Sequence, residues 1–196
     1  MLLIKIKMEE KEEKIRCFIA IDLSREAINY IEDIQKLLKK QSLFNGKFTE
    51  PENLHLTLKF LGEIDKKQIE DVKRKLKGIS FEGFEVRLGE IGVFSKKFIK
   101  IVWIKLNGKG VFSLQKEIDD KLKNLFREEG RFMSHITIAR VKNVGDKKAL
   151  LDYVQKIKTK NIKFKVDKFF LKKSELKPEG PIYEDLGEYK LGLREA

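Results

Sequence analysis

His55-Leu56-Thr57-Leu58 and His135-Ile136-Thr137-Ile138 contain both histidines of the chain and two of its four threonines. Each tetrapeptide lies in an apolar, alternating run, residues 53–61 and 134–141, that reads as a β-strand. In a strand, residues i and i+2 share a face. His55 therefore projects with Thr57, and His135 with Thr137. Leu56, Leu58, Ile136 and Ile138 turn to the opposite, buried face. Strict alternation extends the first polar face to Lys59. It puts Arg140, five positions after His135, on the wrong face unless the strand twists, bulges or ends near Ala139.

Around both motifs the chain alternates strands and helices. Residues 16–22 form an apolar, β-branched strand. Ser24 then caps a helix carrying Ala27, Ile31, Ile34 and Leu38 at helical spacing. Asn45-Gly46 marks a turn. Asp65, with Gln68 three residues on and the Ile64/Ile69 pair, opens a second helix bearing Val72 and Leu76. Strands follow over about residues 84–94 and 99–106. A third helix carries Leu114, Ile118, Leu122 and Leu125, and a fourth, after Asp146, carries Leu150, Leu151, Val154 and Ile157. Residues 163–173 and 182–191 close the chain as strands around a turn at 177–181. Asn107-Gly-Lys-Gly110 lacks phosphate-loop spacing and reads as a turn. The order strand–helix–strand–helix occurs once in each half. The expected fold class is α+β with mostly antiparallel sheets and two similar lobes. Residues 1–14 read as an extension and 15–196 as a single domain.

Composition narrows the function. With 41% hydrophobic residues among 196, the chain can bury a core, which excludes wholesale disorder. Lys and Arg number 43 against 31 Asp and Glu, a net charge of +12 that favours a polyanionic partner, nucleic acid first. The single cysteine, Cys17, excludes a disulfide framework and a thiolate zinc site. No apolar run approaches the roughly 20 residues that cross a bilayer, and the charged start does not read as a signal peptide. The expectation is a soluble, cytoplasmic protein without membrane contact. Its Lys/Glu-rich, Gln-poor surface resembles proteins from hot habitats, although AT-rich coding gives a similar bias.

Two imidazoles flanking one point suit phosphodiester chemistry. One takes a proton from an attacking oxygen while the other gives a proton to the leaving oxygen. Hydroxyls and a cation hold the phosphoryl oxygens as charge builds. No acidic or thiol ligand stands near either histidine in sequence, so neither metal nor cofactor is expected. Residues 142–173 carry eleven lysines against three aspartates. Lys163, Lys165 and Lys168 are the expected RNA-tracking surface. Alternation sends the interleaved Phe164, Phe169 and Phe170 into the core.

The paired His-x-Thr-x motifs resemble those of the two-histidine (2H) phosphoesterase superfamily. Within it the chain is similar to the RNA 2′,3′-cyclic phosphodiesterases, also called 2′-5′ RNA ligases (LigT/ThpR type). The likeness spans about residues 15–191. It includes Arg16-Cys-Phe-Ile-Ala-Ile-Asp22, Pro51-Glu-Asn-Leu-His-Leu-Thr-Leu-Lys-Phe-Leu-Gly-Glu63, Ser134-His-Ile-Thr-Ile-Ala-Arg140, Lys173-Ser-Glu-Leu176 and Gly180-Pro-Ile-Tyr183. The resemblance implies a bilobed, pseudo-symmetric fold with the motifs lining a central cleft and helices outside. It implies hydrolysis of a terminal 2′,3′-cyclic phosphate on RNA to a 2′-phosphate, without metal or nucleotide, and reversible 2′-5′ joining as a side activity. It makes His55 the proton donor to the 3′ oxygen, His135 the base, and Thr57, Thr137 and Arg140 phosphate ligands. Lys59 joins them on alternation alone. RNA ends, tRNA fragments among them, are the expected partners of a monomer. The rival readings are an enzyme for small cyclic phosphates or 2′-5′ oligonucleotides, and an RNA-binding module without turnover.

Overall fold

The computed structural model describes residues 13–192; the expected extension at 1–14 lies outside them except for its last two residues. The elements are β1 (Ile15–Asp22), α1 (Arg25–Gln41), β2 (Phe44–Phe48), a 3-10 turn (Pro51–Asn53), β3 (His55–Ile64), α2 (Lys66–Lys77), β4 (Phe84–Val93), β5 (Ile101–Asn107), α3 (Lys109–Leu122), β6 (His135–Val144), α4 (Lys147–Lys156), β7 (Lys163–Val166), β8 (Lys168–Lys177) and β9 (Gly180–Lys190). The caps act as read. Ser24 Oγ accepts from Ala27 N at 3.2 Å, and Asp65 and Gln68 form a reciprocal capping box.

The sheet order is β7-β4-β5-β6-β3-β1-β8-β9, with β2 added beside β6 and every pairing antiparallel. From the centre outward, each half repeats one plan: β3-β1-β8-β9 on one side and β6-β5-β4-β7 on the other. The two expected sheets are joined. Leu56 pairs with Ile136, and this seam makes one continuous, curled antiparallel sheet, a half-barrel. The two His-x-Thr strands are therefore the central pair. Helix α1 packs against β6 and α3 against β3, so each helix supports the histidine strand of the opposite half. Their apolar stripes, Ala27, Ile31, Ile34 and Leu38 on α1 and Val111, Leu114, Ile118 and Leu122 on α3, are buried in the core.

Two local expectations change. Asn45-Gly46, read as a turn, lies within β2, opposite a bulge of β6 at Lys142. A Cβ at position 46 would collide with the Arg140 carbonyl, so glycine permits the close approach. The run 163–173 breaks at Asp167: β7 pairs with β4 in one half and β8 with β1 in the other. The chain thus crosses between halves in one residue. Among the described residues no helix is long and apolar enough to cross a membrane.

Candidate active site

A cleft of about 390 Å³ opens between the two halves, and His55, Thr57, His135, Thr137 and Arg140 all line it. The seam between β3 and β6 brings the two motifs together although 80 residues separate their histidines in the chain.

Both imidazoles are held the same way. His55 Nδ1 donates to the Asn53 carbonyl at 2.8 Å, and His135 Nδ1 donates to the Met133 carbonyl at 2.8 Å. In each case the partner is the backbone two residues earlier. Pinning the proton on Nδ1 leaves Nε2 of the neutral ring as an acceptor. His55 Nε2 takes the Thr57 hydroxyl at 3.0 Å. Burial pulls the His55 pKa down to about 4, against the raising effect of the Asn53 carbonyl; the positive charges of Lys172, Arg140 and His135 add to the fall. Burial also lowers His135, again opposed by its backbone partner. Phe18 lies 4.9 Å from the His55 ring and Tyr183 meets it edge-on at 5.2 Å. Phe94 meets His135 edge-on at 4.7 Å.

Arg140 reaches the cleft through a bulge. Val102 pairs with Ala139 and Trp103 with Thr137, so Ile138 is an extra residue in β6. Ile138 and Ala139 are then both buried, and Arg140 turns to the polar face. The carbonyl of Ile138 accepts from Gln35 Nε2 at 2.9 Å and from Thr49 N at 3.1 Å. Gln35 also donates to the Thr49 carbonyl at 2.8 Å, and the Thr49 hydroxyl to the Thr137 carbonyl at 2.8 Å. A buried amide on α1 thus braces the distortion that delivers Arg140.

The same distortion removes Lys59. Ile19 pairs with Lys59 and Ala20 with Thr57, which makes Leu58 the extra residue of β3. Alternation fails after Thr57, and Phe60 takes the place in the cleft that Lys59 was expected to hold. Lys59 is 3% exposed and points into the protein. Its ammonium pairs with Asp119 on α3 and donates to the Arg127 carbonyl at 2.7 Å. Asp119 also accepts from Gln115 Nε2 at 2.6 Å and Glu129 N at 3.0 Å. Lys59 is not a phosphate ligand; it ties β3 to the end of α3 and the segment leading to His135.

The expected RNA-tracking lysines lie away from the cleft lining. Lys163 pairs with Glu85 at 3.0 Å and Lys168 with Glu188 at 3.1 Å. Lys165 and Lys168 line a smaller pocket with Asp22 and Phe170. Phe169 is buried in the core; Phe170, its neighbour on the opposite face of the strand, is buried under Lys168 and Lys172, and Phe164 is only partly buried. Among the cleft residues that sequence reasoning missed are Arg16, Phe18, Phe60 and Tyr183. Phe60 needed the bulge. Arg16 and Phe18 alternate on β1, but only the pairing of β1 with β3 puts that face beside His55.

Two histidines, each followed two residues on in its own strand by a threonine, face one cleft from either side of a pseudo-symmetric seam, an arrangement of the class suited to acid–base chemistry. A sequence profile described as LigT like phosphoesterase matches residues 21–103 and again 105–183, one histidine motif in each match. The chain belongs to this family of LigT-like phosphoesterases. A protein of Methanocaldococcus jannaschii named RNA 2′,3′-cyclic phosphodiesterase is 36% identical over 178 residues, covering 89% of this chain and all of the relative. One of the same name from Methanothermobacter thermautotrophicus is 36% identical over 186 residues, covering 91% of this chain and all of that one. The crystal structure of TT0787 of Thermus thermophilus superposes with a TM-score of 0.75 at 25% identity, covering 90% of this chain and 97% of that one.

Proposed function

We propose that this chain hydrolyses the terminal 2′,3′-cyclic phosphate of RNA to a 2′-phosphate. One observation carries the reading: two imidazoles share a cleft with their Nδ1 atoms tied to backbone carbonyls, which leaves proton transfer to the two Nε2 atoms, that of His55 once the Thr57 hydroxyl turns from it to the phosphate. His135 Nε2 takes the proton of the attacking water as its oxygen bonds to phosphorus. The bond from phosphorus to the 3′ oxygen breaks, and protonated His55 delivers the Nε2 proton to that oxygen. The phosphate anion offsets the burial that lowers the His55 pKa, so substrate itself promotes the charged acid. Thr57, Thr137 and Arg140 hold the non-bridging oxygens. Phe60 and Tyr183 gather on the His55 side over the buried Phe18 and offer ring surface to the terminal base. The two relatives named RNA 2′,3′-cyclic phosphodiesterase support this substrate, as does the net charge of +12. Replacing water by a 5′-hydroxyl turns the same displacement into 2′-5′ joining. The lone, buried Cys17 suits a reducing cytoplasm, and a monomer completes the site because both histidines come from one chain.

Product analysis tests the proposal. RNA ending in a 2′,3′-cyclic phosphate should yield only the 2′-phosphate, and the rate should persist in excess chelator. A 3′-phosphate product, or binding without turnover, would refute it.

A further inference from the structure

The segment joining β4 to β5 stands at the His135 rim of the cleft. Phe94, whose ring meets His135, is 50% exposed. Phe98 is 65% exposed, with Lys97 Nζ 5.6 Å from its ring centre. Between and beyond them stand Lys96, Lys97 and Lys100, all exposed. Among the described residues none of these three lysines has a carboxylate partner, whereas Lys163 and Lys168 do. The segment is tied down. Phe98 N donates to Ser95 Oγ at 3.1 Å, Lys147 Nζ to the Lys97 carbonyl at 3.0 Å, and Val141 N to the Lys100 carbonyl at 2.8 Å. Ile99 is buried in the core. Ile101, next in the chain, pairs with Arg140. The surface therefore runs continuously into the phosphate end of the cleft.

Exposed rings interleaved with unpaired cations match single-stranded nucleic acid, whose bases stack and whose phosphates meet the lysines. The position says which strand. In an in-line displacement the attacker enters opposite the leaving oxygen. The leaving 3′ oxygen belongs to His55, so the attacker enters beside His135. We infer that residues 94–100 hold the RNA strand that supplies the attacking 5′-hydroxyl in 2′-5′ joining. This rests on the acid and base roles proposed above. The 5′ oxygen bonds to phosphorus and passes its proton to His135 Nε2. The bond from phosphorus to the 3′ oxygen breaks, and that oxygen takes the proton of His55. No further reactant is needed.

The test is fluorescence anisotropy of a 3′-labelled single-stranded RNA hexamer with a free 5′-hydroxyl, on the full chain. Phe98→Ala and the pair Lys96→Glu/Lys97→Glu should each weaken binding about tenfold, the size of one lost stacking contact. The lysine pair should also flatten the log–log salt slope by about 1.4. Hydrolysis of a cyclic mononucleotide should stay within about twofold of the unmodified chain, far less than one lost base contact. Saturating adenosine 2′-monophosphate, which fills the cleft, should leave the hexamer bound. Displacement by that nucleotide would put the strand in the cleft and overturn the assignment. So would unchanged hexamer binding in both variants, or a larger loss in Lys163→Glu/Lys168→Glu. If the unmodified protein leaves the cyclic mononucleotide intact, the hydrolytic reading falls, and the anisotropy series still decides whether the loop holds RNA.

Discussion

Phe60 and Arg140 occupy equivalent positions in the two halves. Each follows its motif histidine by five residues and is turned into the cleft by a bulge at the fourth motif residue, Leu58 or Ile138. One half thus presents a ring where the other presents a guanidinium. The cleft is symmetric in its acid–base pair and asymmetric in what surrounds it. Arg140→Ala should slow hydrolysis of every cyclic phosphate, by about 10²–10³-fold if Arg140 meets the charge that develops on the phosphoryl oxygens. Phe60→Ala should weaken a cyclic mononucleotide by roughly 1–3 kcal/mol and spare glycerol cyclic phosphate, which has no base to stack. Steady-state kinetics on the two substrates separates the roles.

Replacing either histidine by alanine should lower the hydrolysis rate by roughly 10²–10⁴-fold. The double variant should be little worse than the poorer single one, because both groups act in one displacement. A substrate with a much more acidic 3′ leaving oxygen should rescue His55→Ala and not His135→Ala. Rescue of His135→Ala alone would exchange the two roles.

The pH profile follows from burial. In the free protein His55 titrates at about 4 and His135 below the ordinary 6.5. Turnover requires one proton on the pair: His55 charged, His135 neutral. The rate in kcat/KM therefore falls at acid pH as His135 is protonated and at higher pH as His55 is deprotonated, with limbs belonging to the pair. The optimum of kcat/KM should lie below pH 6.5, the unperturbed value. The kcat profile should lie at higher pH, because bound anion favours both charged imidazoles. A kcat/KM optimum above neutrality would contradict the burial of the acid.

Lys59 and Asp119 form a buried pair joining β3 to α3. Removing one member leaves the other charge without its ion partner in the interior. Lys59→Met should cost about 3–5 kcal/mol of stability, seen as a lowered melting temperature. Below that temperature KM for a cyclic mononucleotide should stay close to the original value. A raised KM with unchanged melting would restore Lys59 to the phosphate site.

Gln35 does not line the cleft, yet its amide bonds the carbonyls of Ile138 and Thr49. Gln35→Leu leaves both carbonyls one donor short and loosens the bulge. The expected result is a drop in kcat larger than any rise in KM, because Arg140 is misplaced from the charge that develops on the phosphoryl oxygens while both histidines keep their backbone partners. Trp103, the chain's single tryptophan, pairs with Thr137 across the bulge. Its fluorescence on titration with inorganic phosphate offers an independent readout.

The sequence by itself determined most of the strands, the caps and the pair of histidines that face the cleft. The two His-x-Thr runs alternate over three or four residues, and period two is enough to place imidazole and hydroxyl on one face. Ser24, Asp65 and Gln68 act through hydrogen bonds within a few residues, so their effect is local and legible. Five of the expected groups, His55, Thr57, His135, Thr137 and Arg140, meet in the cleft for that reason, the last on the condition of a bulge that the structure supplies. Only the tertiary structure decided the fate of Lys59, the joining of the sheets at Leu56 and Ile136, and the break at Asp167 that sends β7 and β8 to different halves. These depend on partners far away in the chain. A bulge reverses the facing of every later side chain in its strand, and its stabilising contacts, Gln35 for one strand and Asp119 for the other, lie about 60 to 100 residues distant. Alternation is a property of one strand; where it breaks is set by the groups that wait on the other side.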